Sequence, residues 1–236
     1  MGFFQTYTNT FKHGIHPPEN KDETNGLPIR QFPFAKELII PMSQHLGAPA
    51  QIIVREGQEV YRGQLIARAA SYMSVPIHSP VSGTVTRIGM VPTLAGSMIE
   101  GVYLQPFPYS GQEVAEGTPV LLETATPEEI LQAIQDCGIV GLGGAAFPTH
   151  VKLKVPEGKK CEYLILNGIE CEPFLTTDHR VMLEQAEDIY MGIRYLMKAT
   201  GAQKVIIGIE ANKQDAADHL EKVKPDNLPV TIRVVP

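Results

Sequence analysis

One glycine-rich stretch, residues 138–153, limits what this chain can fold into more than any other. Its four glycines fall within seven residues: Gly138, Gly141, Gly143 and Gly144. Glycines permit backbone conformations that a Cβ forbids, and they let backbone N–H groups converge on an anion. A helix beginning near Pro148 would point its positive end at the same place, and Lys152 would add a full charge. We therefore expect this loop to bind a phosphorylated cofactor.

Other interpretations of the loop are weaker. Residues 141–146 satisfy G-x-G-x-x-A, but the pattern follows a predicted helix and not a strand, so it is poor evidence for a dinucleotide fingerprint. A Walker A loop is excluded because Lys152 is too far from the glycines and Gly-Lys-Ser/Thr is missing. A glycine-rich turn without a ligand is the alternative. The combination of the glycines with residues 147–149, Phe-Pro-Thr, and Lys152 favours a ligand.

The segment before the loop has the start and stop signals of a helix. Thr126 suits the N-cap, Pro127 suits the first helical position, and Glu129 completes a capping box. Gly138 can end the helix in a left-handed conformation. This helix would deliver the chain into the glycine loop.

After the loop, apolar runs alternate with helical patterns. Strands are predicted at Tyr163–Leu166, Lys204–Ile209 and Val230–Val235, and helices from about Asp178 to Ala199 and from Gln214 to Val223. The β-α-β-α-β order indicates a parallel sheet with covering helices, an α/β fold of Rossmann-like type. We expect the first two strands to be buried.

Polar residues follow the first of these strands, where ligands of parallel sheets bind. Asn167, Glu170 and Glu172 are candidates for contacts to a ribityl chain, a ribose or a nicotinamide. An ordinary solvated loop is the alternative. His150 would act as a general base only if another group positioned it, and we expect it at the surface instead.

Residues 41–105 alternate short apolar segments with Gly and Pro, which predicts short strands in a small barrel or sandwich. The patterns in 54–66 and 82–88 resemble the biotinyl/lipoyl-like barrel-sandwich hybrid. Carrier members of that group attach their cofactor to a lysine. Because no lysine occurs between Lys36 and Lys152, the acceptor is missing and we expect a structural module.

Composition excludes several classes of function. A net charge of −6 without a basic stripe argues against a nucleic-acid partner. No apolar run approaches the ~20 residues of a membrane span. Three cysteines without a Cys-x-x-Cys pair provide no zinc or iron–sulfur signature. His13 and His16 have no partner cluster, so we predict no metal site.

We divide the chain into an extended segment (1–40), a barrel-sandwich hybrid domain (41–123) and a Rossmann-like domain (124–236). Residues 106–125 have the composition of a linker. The chain ends directly after a strand, and a three-stranded parallel sheet is a poor finished domain. We therefore expect the sequence to be truncated at its C-terminus.

The order and spacing of residues in 141–152 and 167–173 resemble the flavin-binding core of the NADH-oxidising flavoprotein of respiratory complex I. The segments His13–Glu19 and Asn25–Gln31, together with the barrel pattern, narrow the resemblance. They are similar to the C subunit of the Rnf electron-transport complex, an ion-translocating ferredoxin:NAD⁺ oxidoreductase. The resemblance covers almost the whole chain.

This resemblance implies a peripheral protein on the cytoplasmic face of the cell membrane, attached to the other subunits of the complex and without a span of its own. Such a protein binds FMN non-covalently, exchanges a hydride with NAD(H) and passes electrons to two [4Fe–4S] clusters, with ferredoxin as the other redox partner. The cluster cysteines and a second flavin-contacting segment would lie beyond Pro236. We therefore expect residues 124–236 to form an incomplete FMN/NADH-binding domain, inactive alone.

The resemblance also implies a set of cofactor-binding residues. The flavin contacts would be Gly141, Gly143, Gly144, Lys152, Asn167 and Glu170. Phe147 and Glu172 match positions near the nicotinamide nucleotide, and no catalytic side chain is implied. Leu142 and Ile169 stand where the complex I flavoprotein has an arginine and an aspartate, so two polar contacts are lost.

Two other functions remain open at this point. One is a non-catalytic scaffold whose glycine loop binds a nucleotide without electron transfer. The other is a cobalamin-reductase-like flavoprotein with the same flavin core. The preceding barrel and the segment His13–Glu19 favour the Rnf family.

Overall fold

The computed structural model describes residues 17–93, 96–115 and 117–235. The chain forms two compact units. Residues Phe32–Lys154 form the barrel unit, and the described residues up to Gln31 join those from Val155 onward in the sheet unit. His13 and His16 lie outside the described residues. These two units do not test the predicted domain boundaries, because segments that pack together in one unit need not belong to one domain. The boundaries stay predictions.

Two antiparallel sheets make up most of the barrel unit. Its strands are β1 (Leu38–Pro41), β2 (Gln51–Ile52), β3 (Glu59–Val60), β4 (Leu65–Arg68), β5 (Ile77–His78), β6 (Gly83–Pro92) and β7 (Met98–Pro106). One sheet has the order β1-β7-β6-β3 and the other β2-β4-β5. Two helices follow, α1 (Pro127–Asp136) and α2 (Thr149–Leu153). The predicted series of short strands is present.

The two sheets enclose a common apolar core. It contains Met42, Ala50, Val54, Val60, Ile66, Ala67, Val81, Val85, Val102 and Leu104. Strands β6 and β7 form a long hairpin, in which a Cβ on Gly83 would lie 2.2 Å from the Gln105 carbonyl oxygen. Only glycine allows this approach of the two backbones.

Residues 107–115 of the predicted linker (106–125) pack on the barrel unit. The Gln112 side chain is buried; the Ser82 N–H donates to its Oε1 at 2.6 Å, and its Nε2 donates to the Ser82 carbonyl at 2.9 Å. Arg62 Nη1 also donates to the Gln112 carbonyl at 3.0 Å. The linker prediction is therefore wrong around Gln112, because one buried amide ties the segment to the barrel.

A parallel sheet of order β10-β9-β8 organises the sheet unit. Its strands are β8 (Tyr163–Gly168), β9 (Lys204–Glu210) and β10 (Val230–Val235), and its helices are α3 (Thr177–Glu184), α4 (Ala186–Thr200) and α5 (Gln214–Val223). A short 3₁₀ turn, Ala211–Lys213, leads from β9 into α5. The predicted β-α-β-α-β order is confirmed.

Burial in this sheet depends on the strand face. Val205, Ile207 and Ile209 on alternate positions of β9 are 0–2% exposed. On β8, however, Tyr163 is 46% and Ile165 69% exposed, so the prediction of a fully buried first strand is wrong. Side chains alternate between faces along a strand, and these two are on the exposed face.

The predicted helix from Asp178 to Ala199 is broken in two. Gln185, with φ −131° and ψ 34°, separates α3 from α4. No glycine or proline marks the break in the sequence. Tertiary contacts hold α3: His179 Nε2 lies 2.9 Å from an Asp215 carboxylate oxygen, and Arg180 Nη1 donates to the Asn25 carbonyl at 3.1 Å.

The predicted capping box of α1 is confirmed. The Glu129 N–H donates to Thr126 Oγ1 at 3.2 Å, and the Thr126 N–H donates to Glu129 Oε2 at 2.7 Å. Gly138 follows the helix at φ +71°, and a Cβ there would lie 2.7 Å from the Pro76 carbonyl oxygen. The helix end therefore requires glycine for both its conformation and its contact with the barrel.

Two histidines of the barrel unit have lowered pKa values, and one of them, His45, is buried. Val75 N–H donates to His45 Nε2 at 3.3 Å, which identifies this nitrogen as unprotonated. Burial lowers the pKa of His45, against a smaller opposing effect of a bond to the Ala48 backbone. Burial also lowers the pKa of His78, with the Asp136 carboxylate opposing it.

Replacing Thr126 by Ala should lower the free energy of unfolding by about 1 kcal/mol, because the Glu129 N–H loses its acceptor, Thr126 Oγ1. Urea unfolding monitored by circular dichroism measures this loss. Thr124→Ala, at an exposed position two residues earlier, is the matched control and should change little. An equal loss in both variants would contradict the capping role.

Acidification from pH 7 to 5 should destabilise the barrel unit. The unfolded histidines bind protons near their usual pKa of ~6.5, whereas folded His45 and His78 do so only at lower pH, so stability is lost as pH falls through this window. Denaturant unfolding at both pH values tests this. His45→Gln and His78→Gln should each flatten the pH dependence; an unchanged slope in both would refute the explanation.

Candidate functional site

The glycine loop is a closed loop on the barrel unit. Val140 and Pro148 form an isolated antiparallel bridge, and the Gly141 N–H donates to the Phe147 carbonyl at 2.9 Å. Residues 142–145 are exposed, Leu142 by 94%, whereas the Ala146 carbonyl accepts the Leu46 N–H at 3.2 Å. The bridge thus fixes both ends of the loop and leaves its tip accessible.

At the tip of the loop, the backbone of Gly143 and Gly144 is exposed and no side chain covers it. A Cβ on Gly143 or Gly144 would have no atom within 4 Å, and Gly144 has φ +120°. The N–H groups of both glycines have no hydrogen-bond partner within the described part of the chain. An anion or a flat ring can therefore approach this backbone closely.

A lysine flanks the same loop. Lys152 Nζ lies 3.4 Å from the position that a Cβ on Gly141 would occupy. Helix α2, which carries Lys152, has only five residues and no side-chain cap, so its dipole adds little. The positive charge at the loop comes mainly from the ammonium group. Exposed backbone N–H groups beside an ammonium fit the phosphate of a nucleotide cofactor.

A cleft of about 380 Å³ lies between the loop and the barrel, within the size range of ligand pockets. Residues from both sides line it: Gln44, His45, Val75, Pro76, Ile77, His78, Cys137, Gly138, Val140, Gly141, Leu142, Gly144 and Ala146. Its wall therefore combines apolar side chains, two histidines and loop backbone.

The prediction that His150 lies at the surface is wrong. It is 3% exposed, and its Nε2 donates to the Tyr72 carbonyl at 2.8 Å, which ties α2 to the barrel. The Tyr72 ring meets the imidazole edge-on, with the centroids 5.3 Å apart. Because this partner is 78 residues away in sequence, no local pattern predicted the burial.

The polar strand end after β8 belongs to the sheet unit. Asn167 is exposed, and its Oδ1 accepts the Ile169 N–H at 3.0 Å, which starts the turn out of the strand. Glu172 is also exposed. Both side chains are accessible to a ligand.

Glu170 differs from these two residues, because its carboxylate is buried at 4% exposure. Oε1 accepts the Asp178 N–H at 2.8 Å and Oε2 the His179 N–H at 3.5 Å, so the side chain caps the start of α3. The Glu170 backbone carbonyl accepts Lys21 Nζ at 2.5 Å and Lys213 Nζ at 3.1 Å. Lys213 follows the neighbouring parallel strand β9, so its place near this strand end was predictable, whereas Lys21 stands in no sequence pattern that would have indicated the contact.

Negative charge is concentrated at this strand end. Burial raises the pKa of Asp178, the nearby carboxylates of Glu170 and Glu172 raise it further, and the Lys213 and Lys21 ammonium groups oppose them only in part. Carboxylates accept hydrogen bonds from hydroxyl and amide groups but repel phosphate. The strand end is therefore suited to sugar hydroxyls or a carboxamide, in contrast to the phosphate-binding character of the glycine loop.

The predicted cofactor-binding residues fall in both units. The barrel unit contains Gly141, Gly143, Gly144, Phe147 and Lys152 on one closed loop and the helix that follows it. The sheet unit contains Asn167, Glu170 and Glu172 at the end of β8 and in the loop after it. Their assignment as ligand contacts stays a prediction.

The described residues contain no group of three or more His, Cys, Asp or Glu side chains arranged to hold a metal ion. Within the same residues, every helix is too short or too polar to cross a membrane.

Two family models match consecutive parts of the chain. Residues 9–106 match the RnfC barrel sandwich hybrid domain, and residues 134–235 match the Nuo51 FMN-binding domain. The predicted fold class is confirmed: a small all-β barrel-sandwich hybrid followed by a parallel α/β domain.

Curated relatives resemble the chain over most of its length. The C subunit of the Na⁺-translocating ferredoxin:NAD⁺ oxidoreductase complex of Acetobacterium woodii is 41% identical over 213 residues, which cover 90% of this chain and 48% of the relative. The C subunit of the proton-translocating complex of Clostridium ljungdahlii is 38% identical over 215 residues, 90% of this chain and 47% of the relative. The chain thus spans about half the length of the curated relatives it matches.

Among solved structures, an NAD⁺-reducing [NiFe]-hydrogenase is similar over 52% of this chain and 26% of its own. In the air-oxidised state the TM-score is 0.42 at 25% identity, and in the H₂-reduced state 0.41 at 26%. The predicted resemblance is confirmed by the family models and curated relatives together: this chain belongs to the RnfC family, as an RnfC barrel sandwich hybrid domain followed by a Nuo51 FMN-binding domain.

Proposed function

We propose that this chain is the NADH- and FMN-binding part of the RnfC protein of a membrane-bound, ion-translocating ferredoxin:NAD⁺ oxidoreductase complex. The observation that carries the proposal is the coincidence of two features. Residues 134–235 match an FMN-binding domain family, and the same stretch contains a glycine loop with bare backbone and a flanking ammonium group. In this proposal the protein is peripheral, on the cytoplasmic side of the membrane, with the other Rnf subunits and ferredoxin as its partners.

When bound in the proposed site, FMN would supply the chemistry that links hydride transfer from NADH to single-electron transfer towards two [4Fe–4S] clusters in the remainder of the RnfC protein. The N–H groups of Gly143 and Gly144 and the Lys152 ammonium would hold the FMN phosphate. Gly141 keeps its own N–H bonded to Phe147 and so maintains the loop. The loop binds and orients the cofactor.

The polar strand end would hold the neutral parts of the ligands. Asn167 and Glu172 are exposed and offer hydrogen-bonding groups to hydroxyls or a carboxamide. We assign Glu172 and the half-buried Phe147 ring to the nicotinamide nucleotide, and Asn167 to the flavin. Glu170 supports this surface from beneath through its bonds to α3. No side chain in the site is required to transfer a proton during hydride transfer.

Purified chain mixed with FMN should bind it, as measured by quenching of flavin fluorescence. Lys152→Met should weaken binding by about 10- to 100-fold, because a charged hydrogen bond to phosphate is lost. Lys36→Met removes an equal charge at an exposed position of the same unit and should bind like the parent. Riboflavin, which lacks the phosphate, should not discriminate between the parent and Lys152→Met. Equal affinity of the two proteins for FMN would place Lys152 outside the site.

Glu172→Gln should weaken NAD⁺ binding to the FMN-loaded chain by about tenfold, because a carboxylate is a stronger acceptor than an amide. Calorimetric titration measures the affinity. Glu162→Gln, an exposed carboxylate just before β8, is the control. Retention of flavin without any NAD⁺ binding by the parent chain would instead support a nucleotide-binding scaffold.

A further inference from the structure

The N-terminal segment crosses the sheet unit and is fixed to it at several points. We call residues 17–29 the strap. The Phe174 N–H donates to the Glu19 carbonyl at 2.8 Å, and Asn212 Nδ2 donates to a Glu19 carboxylate oxygen at 2.8 Å. Farther along, the Ile29 N–H donates to the Glu184 carboxylate at 3.0 Å. A segment without regular secondary structure is thus ordered by tertiary contacts.

Lys21 is the buried centre of the strap. Its side chain is 7% exposed, and Nζ donates to two backbone carbonyls, that of Glu170 at 2.5 Å and that of Leu175 at 2.9 Å. These two residues are the ends of the loop that carries Glu172. One ammonium group therefore joins both ends of this loop.

The loop needs such a clamp because its backbone is strained. Phe174 has φ +68°, a left-handed conformation that costs a bulky side chain roughly 1 kcal/mol or more. Its ring is 67% exposed, so packing contributes little to holding it. Instead, the strap binds the N–H of Phe174 through Glu19 and the carbonyl of the next residue through Lys21.

We propose that Lys21 is a positioning residue for the nicotinamide nucleotide. By joining the carbonyls of Glu170 and Leu175, it fixes the backbone from which Glu172 projects and so determines where that carboxylate meets the ligand. Lys213 also donates to the Glu170 carbonyl but has no bond to Leu175, so it does not replace Lys21 at the far end of the loop. This inference rests on the proposed function for its ligand, whereas the clamp itself is a property of the chain alone.

Amide hydrogen exchange on the ligand-free chain tests the clamp. In the parent, the Phe174 amide should be protected by its bond to Glu19. In Lys21→Met, amides in residues 171–175 should exchange about tenfold faster or more, because a buried charged hydrogen-bond donor is lost. Lys222→Met, an exposed charge on α5, is the matched control and should leave these rates unchanged. Unprotected exchange at Phe174 in the parent would overturn the clamp whether or not the variant folds.

Ligand titrations on the FMN-loaded chain test the positioning role. Lys21→Met should weaken the affinity for NAD⁺ about tenfold. The affinity for ADP-ribose, which lacks the nicotinamide, should change less than about twofold. Equal weakening of both ligands would indicate general loosening and overturn the proposal, as would unchanged NAD⁺ affinity. Glu19→Ala, which loosens the strap at a half-buried position, should speed the exchange of these amides and weaken the NAD⁺ affinity, both by less than Lys21→Met. This variant replaces Lys21→Met in both experiments if Lys21→Met does not fold. A parent chain that binds neither ligand would refute the proposed function. Hydrogen exchange would still show whether Lys21 holds the two ends of the loop together.

Discussion

A buried ammonium group must have hydrogen-bond partners, and two such groups meet at one carbonyl in the sheet unit. Lys213 is 1% exposed and donates to Glu210 at 2.7 Å and to the Glu170 carbonyl at 3.1 Å. Lys21 reaches the same carbonyl from the strap. Leaving either charge unpaired would cost several kcal/mol. The carboxyl ends of β8 and β9, the strap and the start of α3 are therefore fixed relative to one another by the requirement to satisfy these charges.

In the glycine loop, by contrast, backbone donors are left available instead of being paired within the protein. The Val140–Pro148 bridge satisfies the backbone at the base of the loop, while the N–H groups of Gly143 and Gly144 stay available. No described side chain fills the space where their Cβ atoms would be. The strand end offers acceptors and negative charge, whereas the loop offers donors beside an ammonium. Taken separately, the loop therefore suits a phosphate and the strand end suits hydroxyl or amide groups.

Local signals predicted the parts of the structure that local interactions determine. The capping box of Thr126 and Glu129, the end of α1 at Gly138 and the bounds of α5 follow from residues a few positions apart. The helix break at Gln185, the burial of His150 and the clamp of Lys21 depend on partners far away in sequence; Lys21 and Glu170 are 149 residues apart. The glycine loop, Asn167, Glu170 and Glu172 were recognisable as candidates, but their burial and hydrogen bonds were not, because a pattern does not show which polar group the protein itself will satisfy.

Residues whose polar groups the protein itself satisfies build the site, whereas residues whose polar groups stay free meet a ligand. The Glu170 carboxylate accepts two N–H groups at the start of α3 and is buried, so it is satisfied before any cofactor arrives. The same holds for the Glu170 carbonyl, which accepts two ammonium groups. A surface whose internal bonds are complete keeps its shape without ligand, and binding then costs less ordering of the chain. Asn167 and Glu172, which project from that surface into solvent, are the groups left to pair with a ligand, so specificity for the nucleotide should depend on them more than on Glu170.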